Sequence, residues 1–205
     1  MALQPSLRPL IIAGPADAPH TLDIFLDYAC PFSAKIALVM DKVLLPALGP
    51  GGKYDGKVKL IFRPQVQPWH TSSIFLIEAG LAAARISPSL FWRFSLLLFA
   101  QHHEFTNMPC AELTPTQIRA KIAVLASQVL PTENVAAFSA LLEPKADLRG
   151  SNEVTEEVKY TLKFSRQNSI HVSPTVLWDG LVASEVSSSW GEKEWDTFFQ
   201  AKVLV

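Results

Sequence analysis

The chain has 205 residues, 49% of them hydrophobic, which is ample for a substantial core, and its 18 basic and 19 acidic residues nearly cancel; one domain with an insertion, or two closely packed subdomains, is the expectation. No basic stripe is visible, so nucleic acid is a poor partner, and the most apolar run, Phe94 to Ala100, is far too short to cross a bilayer. Met1-Ala2-Leu3-Gln4-Pro5 lacks the basic head and long apolar segment of a secretory signal, and two cysteines, Cys30 and Cys110, do not make a disulfide-stapled scaffold, so the expected setting is soluble and cytoplasmic.

Residues 1 to 20, rich in proline and alanine, read as an extended arm, with Leu10-Ile11-Ile12 as a short edge strand. Thr21 to Leu26 carries β-branched and aromatic residues and reads as the first full strand. The apolar-periodic stretch from Pro31 predicts a helix to Leu48, where Gly49-Pro50-Gly51-Gly52 ends regular structure. Lys57 to Arg63 alternates polar and apolar residues before Pro64 and predicts a second strand, parallel to the first across the helical crossover. The period then becomes helical. Ser72-Ser73 caps a helix to Ile86, Ser87-Pro88-Ser89 starts one reaching Phe105, Thr114-Pro115 starts a third, Thr132-Glu133-Asn134 a fourth, and Asn152 to Gln167 forms a fifth. Two short strands follow, Thr175 to Trp178 and Leu181 to Ala183, joined by the turn signal Asp179-Gly180, and Glu192 to Lys202 closes the chain as a helix.

Cys30 lies between the first strand and its helix. Proline suits the first helical turn, so Cys30 falls at a helix N-terminus, near free backbone N–H groups and the positive end of the helix dipole. That setting favours the thiolate, which is the nucleophilic form, although a free cysteine can also be a small buried hydrophobe.

Cys30-Pro31-Phe32-Ser33 after a strand resembles the C-x-x-C site of the thioredoxin superfamily, with serine in place of the second cysteine. His171-Val172-Ser173-Pro174-Thr175 resembles the loop with a cis-proline that faces the cysteine in these proteins, and the long helical stretch between the two motifs resembles the DsbA-like branch. The resemblance implies an α/β, thioredoxin-like fold with an inserted helical subdomain: residues 1–70 and 168–205 form the thioredoxin-like part, and 71–167 the insertion. Kappa-class glutathione transferases and 2-hydroxychromene-2-carboxylate isomerases share that layout, typically with serine where this chain has Cys30.

The candidate catalytic residues are Cys30 and Ser33. Ser33 lies close to one helical turn after Cys30, so its hydroxyl could bond the sulfur, or simply serve the helix start; it cannot resolve a mixed disulfide as a second thiol would. Pro31, Phe32, Trp69, His70, Ser173 and Pro174 are the candidate substrate-binding residues. By resemblance Ser173–Pro174 is a cis bond that leaves the Ser173 backbone exposed beside Cys30, Trp69 walls a groove, and His70 tunes or protonates a thiol. Asp23 and Asp27 flank the strand; in the resembled family an acidic residue can modulate the thiol, but solvated strand-end carboxylates are the plainer reading. His102-His103-Glu104 completes no coordination shell, so no metal is expected, and Cys110 reads as a bystander unless the fold brings it near enough to Cys30 to resolve a mixed disulfide. The expected activity is monothiol thiol–disulfide exchange on protein or glutathione mixed disulfides, with no tightly bound cofactor and glutathione as a co-substrate. Two alternatives stand: a kappa-type glutathione-dependent transferase or isomerase, and a redox-inactive binding module or small-molecule enzyme. A homodimer is compatible with all of them.

Overall fold

The computed structural model describes residues 3–146, 148 and 150–204. Five strands form one sheet: β1 (Ile11–Ala13), β2 (His20–Leu26), β3 (Val58–Pro64), β4 (Thr175–Trp178) and β5 (Leu181–Val182), in the order β1-β3-β2-β4-β5. β2 and β3 run parallel, with Leu22 opposite Leu60 and Leu26 opposite Pro64, and the other three pairings are antiparallel. β3 is buried throughout and β2 from Thr21 onward, as befits neighbouring strands covered on both faces. Successive side chains of β2 serve different cores: Leu22, Ile24 and Leu26 join the large core, whereas Phe25 joins a small cluster with Ile170 and Leu177 on the other face.

The crossover from β2 to β3 begins with α1 (Pro31–Val39), passes through a π turn over Met40–Leu44 and ends in α2 (Leu45–Leu48). The expected helix therefore covers the right residues but is interrupted. Pro46 accounts for this: it offers no N–H to the Lys42 carbonyl, and its ring would crowd that oxygen in a regular helix. Residues Pro5–Leu10 form a 3-10 helix where an extended arm was expected.

Between β3 and β4 lie α3 (Ser73–Ile86), α4 (Phe91–Ala100), α5 (Pro115–Ala126), α6 (Thr132–Leu142) and α7 (Thr155–Gln167), with α3 touching the other four. Thr114 and Gln117 form the capping box of α5: the Thr114 hydroxyl accepts the Gln117 N–H (3.3 Å) and the Gln117 side-chain carbonyl accepts the Thr114 N–H (2.8 Å). Ser72 does not cap α3; its hydroxyl donates to the Phe105 carbonyl and so ties α3 to the turn after α4. α4 stops at Ala100, and a separate 3-10 turn covers His102–Phe105. α7 starts at Thr155, not Asn152, because the Asn152 side chain accepts the Val154 N–H (3.1 Å) and folds the preceding residues into a turn. Asp179 and Gly180 both adopt positive φ (48° and 87°), as a tight turn between β4 and β5 demands, and α8 (Glu192–Lys202) closes the chain. No helix among the described residues is long and apolar enough to cross a membrane.

Gly80 lets α3 of the insertion approach Tyr28 closely. A Cβ there would lie 2.5 Å from the hydroxyl oxygen of Tyr28, whose ring is pinned by Phe62, Phe99 and a 2.8 Å hydrogen bond to Ser95. Gly80→Ala gains about 1 kcal/mol of helix propensity but overpacks a rigid site, at a cost of about 1–3 kcal/mol. Urea denaturation should show a lower midpoint at unchanged slope, and the shift should shrink in a Tyr28→Phe background.

Candidate active site around Cys30

Three segments meet at one edge of the sheet. The parallel register of β2 and β3 sends residues 27–30 and 65–70 out of adjacent strand ends, and β4, antiparallel to β2, begins at the same edge with Thr175 opposite Phe25. Cys30 takes the N-cap position of α1, with extended backbone (φ −89°, ψ 123°) and Pro31 as the first helical residue. Its carbonyl accepts the Ala34 N–H at 3.0 Å, and its sulfur reaches across to the Ser173 carbonyl at 3.6 Å. The Ser173–Pro174 bond is cis. Residues 143 positions apart are thus in contact through the sulfur.

Ser33 behaves differently from expectation. Its hydroxyl is fully buried and accepts the Asp27 N–H at 3.3 Å. The Cys30 sulfur is turned to residue 173, and the Ser33 hydroxyl is buried against the backbone of residue 27. The serine braces the loop that presents the cysteine.

Asp27 is the residue that the linear reading undervalued. Its carboxylate is fully buried, not solvated, and accepts three donors: the Ala29 N–H (2.8 Å), the Gln67 N–H (2.9 Å) and His70 Nδ1 (3.0 Å). It therefore fastens the cysteine loop to the loop after β3. His70 meets this carboxylate, and its ring stands edge-on to Trp69. Asp23 is also fully buried; it pairs with Arg63 Nε at 2.7 Å, and the Arg63 guanidinium lies over the Phe164 ring at 4.4 Å. Both carboxylates were expected at solvent, and both are drawn inward by donors on β3 or just beyond it, about 40 residues away in sequence.

Ser173 lies beside Cys30 but is not exposed. Its N–H is bonded to the side-chain carbonyl of Gln67 (3.0 Å), and Gln65 donates to the Ile170 carbonyl (3.4 Å), so two glutamines hold the 170–173 loop against the end of β3. Neither glutamine stood out in the sequence; their spacing of two, continuing the β3 alternation past Pro64, is the signal that could have found them. Each of the three segments that meet here carries an exposed apolar side chain: Phe32 two residues after Cys30, Trp69 next to His70, and Val172 next to Ser173. Asn107 fixes the Trp69 segment by donating to its carbonyl (2.9 Å) and accepting the Thr71 N–H (3.0 Å).

Cys110 is buried in the insertion, donates to the Glu104 carbonyl at 3.7 Å, and has its thiol pKa raised by burial. The rings of His102 and His103 lie nearly perpendicular, and the described residues contain no group of three or more His, Cys, Asp or Glu side chains able to hold a metal. Asp27→Asn would place an amide NH2 where two donors now converge. We expect a loss of about 1–3 kcal/mol in chemical denaturation, with faster hydrogen exchange at the Gln67 amide.

The sequence matches the thioredoxin family over residues 8–197. A candidate protein-disulfide isomerase from Pseudomonas syringae is 28% identical, over 92% of this chain and 97% of that one, with a TM-score of 0.72. The oxidised BdbD protein of Bacillus subtilis aligns at 16% identity over 98% and 96% of the two chains (TM-score 0.61), and the thiol-disulfide exchange protein alpha-DsbA2 of Wolbachia pipientis at 14% over 92% and 84% (TM-score 0.63). A comparison with curated proteins finds no match. The family match spans nearly the whole chain and the structural matches cover both its sheet and the helices set between β3 and β4: the chain belongs to the thioredoxin family and has its DsbA-like fold.

Proposed function

We propose that this oxidoreductase of the thioredoxin family exchanges thiols and disulfides through Cys30 alone, on protein disulfides or mixed disulfides with glutathione. The Cys30 thiolate attacks one sulfur of a substrate disulfide R–S–S–R′, forming Cys30–S–S–R and releasing R′–S⁻, which takes up a proton. A second thiolate, from an external thiol such as glutathione, then attacks the R sulfur, forms the new disulfide and returns Cys30 as thiolate. The net change is exchange of one thiol partner for another, with no electrons left over.

The observation that carries this reading is the placement of Cys30 at a helix N-terminus against the Ser173 carbonyl while Ser33, the residue at the second-cysteine position, is committed to the Asp27 amide. Sulfur is offered at one point, with no thiol at the residue that would resolve it. His70, held by Asp27 through Nδ1, is the ring suited to pass a proton to the departing thiolate. The apolar rim of Phe32, Trp69 and Val172 supports a polypeptide substrate, since exposed apolar groups gathered at a buried nucleophile suit a docked chain.

Trapping with a disulfide peptide followed by mass spectrometry tests the proposal. The wild type and Cys110→Ser should accumulate a mixed disulfide at Cys30 that persists until an external thiol is added, and Cys30→Ser should form none. Exchange that survives Cys30→Ser would overturn the assignment. Ser33→Cys should clear the trapped species without added thiol, because a second sulfur would then stand at the resolving position.

A further inference from the structure

Beside the 170–173 loop, a groove of about 530 Å³ runs between the segment after β3 and helix α7, walled by Val66, Trp69 and Leu162. Its one formally charged lining residue is Arg166, with His171 also on the wall. A second depression shares Leu162 and Arg166 with the first and adds Lys159 and Lys163. No Asp or Glu lines either of them. The linear sequence hides this pattern, because acidic Glu156 and Glu157 lie in the same helix; the helix sorts Lys159, Lys163 and Arg166 into one stripe at spacings of four and three. Lys159 is paired with Glu156, whereas Lys163 and Arg166 are exposed and take part in no ion pair among the described residues. On a chain of net charge −1 this is a local excess of positive charge.

The groove also holds an unused acceptor. Gln65 is 5% exposed; its Nε2 serves the Ile170 carbonyl, and its Oε1 has no partner among the described residues. The oxygen is itself buried behind the groove wall, and a turn of the side chain would present it to the N–H of an extended chain. The stripe from Lys159 to Arg166 covers about 10 Å of helix axis, the reach of about three residues of extended polypeptide.

We propose that this groove holds an acidic segment of the substrate polypeptide, close in sequence to its disulfide-bonded cysteine. An apolar side chain of that segment packs between Trp69 and Leu162, a backbone N–H meets Gln65, and carboxylates face Arg166, His171 and Lys163. The inference rests on the reading of Cys30 as the disulfide-exchanging group, to which it adds the charge of the preferred partner.

Two fluorescently labelled, cysteine-free peptides test it, each with one leucine and either three glutamates or three lysines, with binding to the full chain read by anisotropy. We expect the acidic peptide to bind at least about fivefold more tightly at low salt, consistent with two or three exposed charge contacts, and the difference to fade by about 1 M salt. The double variant Lys163→Glu/Arg166→Glu, altered only at exposed positions, should reverse the preference. Equal binding of the two peptides, or a preference unchanged in the double variant, would overturn the inference. Reaction of both proteins with the small neutral hydroxyethyl disulfide reports on Cys30 alone: loss of that reaction in the wild type refutes the exchange reading and leaves the binding result to judge the groove.

Discussion

A buried carboxylate with three donors organises this end of the molecule. Asp27 follows directly on β2, and its two oxygens take the Ala29 and Gln67 N–H groups and His70 Nδ1. A carboxylate removed from water is costly unless its lone pairs are satisfied, so the two loops that supply those donors are held to one arrangement. The cysteine loop depends on this clasp from one side and the Trp69–His70 segment from the other. Ser33, which gives its hydroxyl to the Asp27 amide, belongs to the same clasp.

The sheet explains why such a clasp is possible. Two adjacent parallel strands end at the same edge, and an antiparallel third begins there, so loops from three distant parts of the chain converge where strand ends leave backbone groups free. Sites outside the carboxyl ends of parallel strands recur for this reason. The insertion adds a second layer of support: Tyr28 packs against Gly80 of α3 and bonds Ser95 of α4, anchoring the chain two residues before Cys30.

What could be read from the sequence was whatever short-range chemistry decides. Strand, cysteine, proline and helix lie within a dozen residues, and so do the Thr114-Pro115 helix start, the Asp179-Gly180 turn and the limits of α8. The inward turn of Asp23 and Asp27 could not be read in this way, because their partners Arg63, Gln67 and His70 lie about 40 positions downstream and only the β2–β3 register brings them near. The same holds for Ser33: its hydroxyl accepts the Asp27 N–H while the Cys30 sulfur meets the Ser173 carbonyl, and neither partner can be picked out from the four-residue motif. Helix interruption at Met40–Leu44 reflects one residue, Pro46, whose effect on the turn before it is visible in the sequence once the carbonyl four residues back is considered.

Gln67 has one more consequence. Its side-chain carbonyl already occupies the Ser173 N–H, in the way the main chain of a neighbouring strand would. A polypeptide that takes the Ser173 N–H must first displace that amide, so at this donor one hydrogen bond is exchanged for another and the net gain is close to nothing. For the polypeptide substrate proposed above, pairing at this N–H would align the chain and add little to affinity. Discrimination among such partners would then fall to side chains, and a product whose side chains no longer fit would have little to hold it in place.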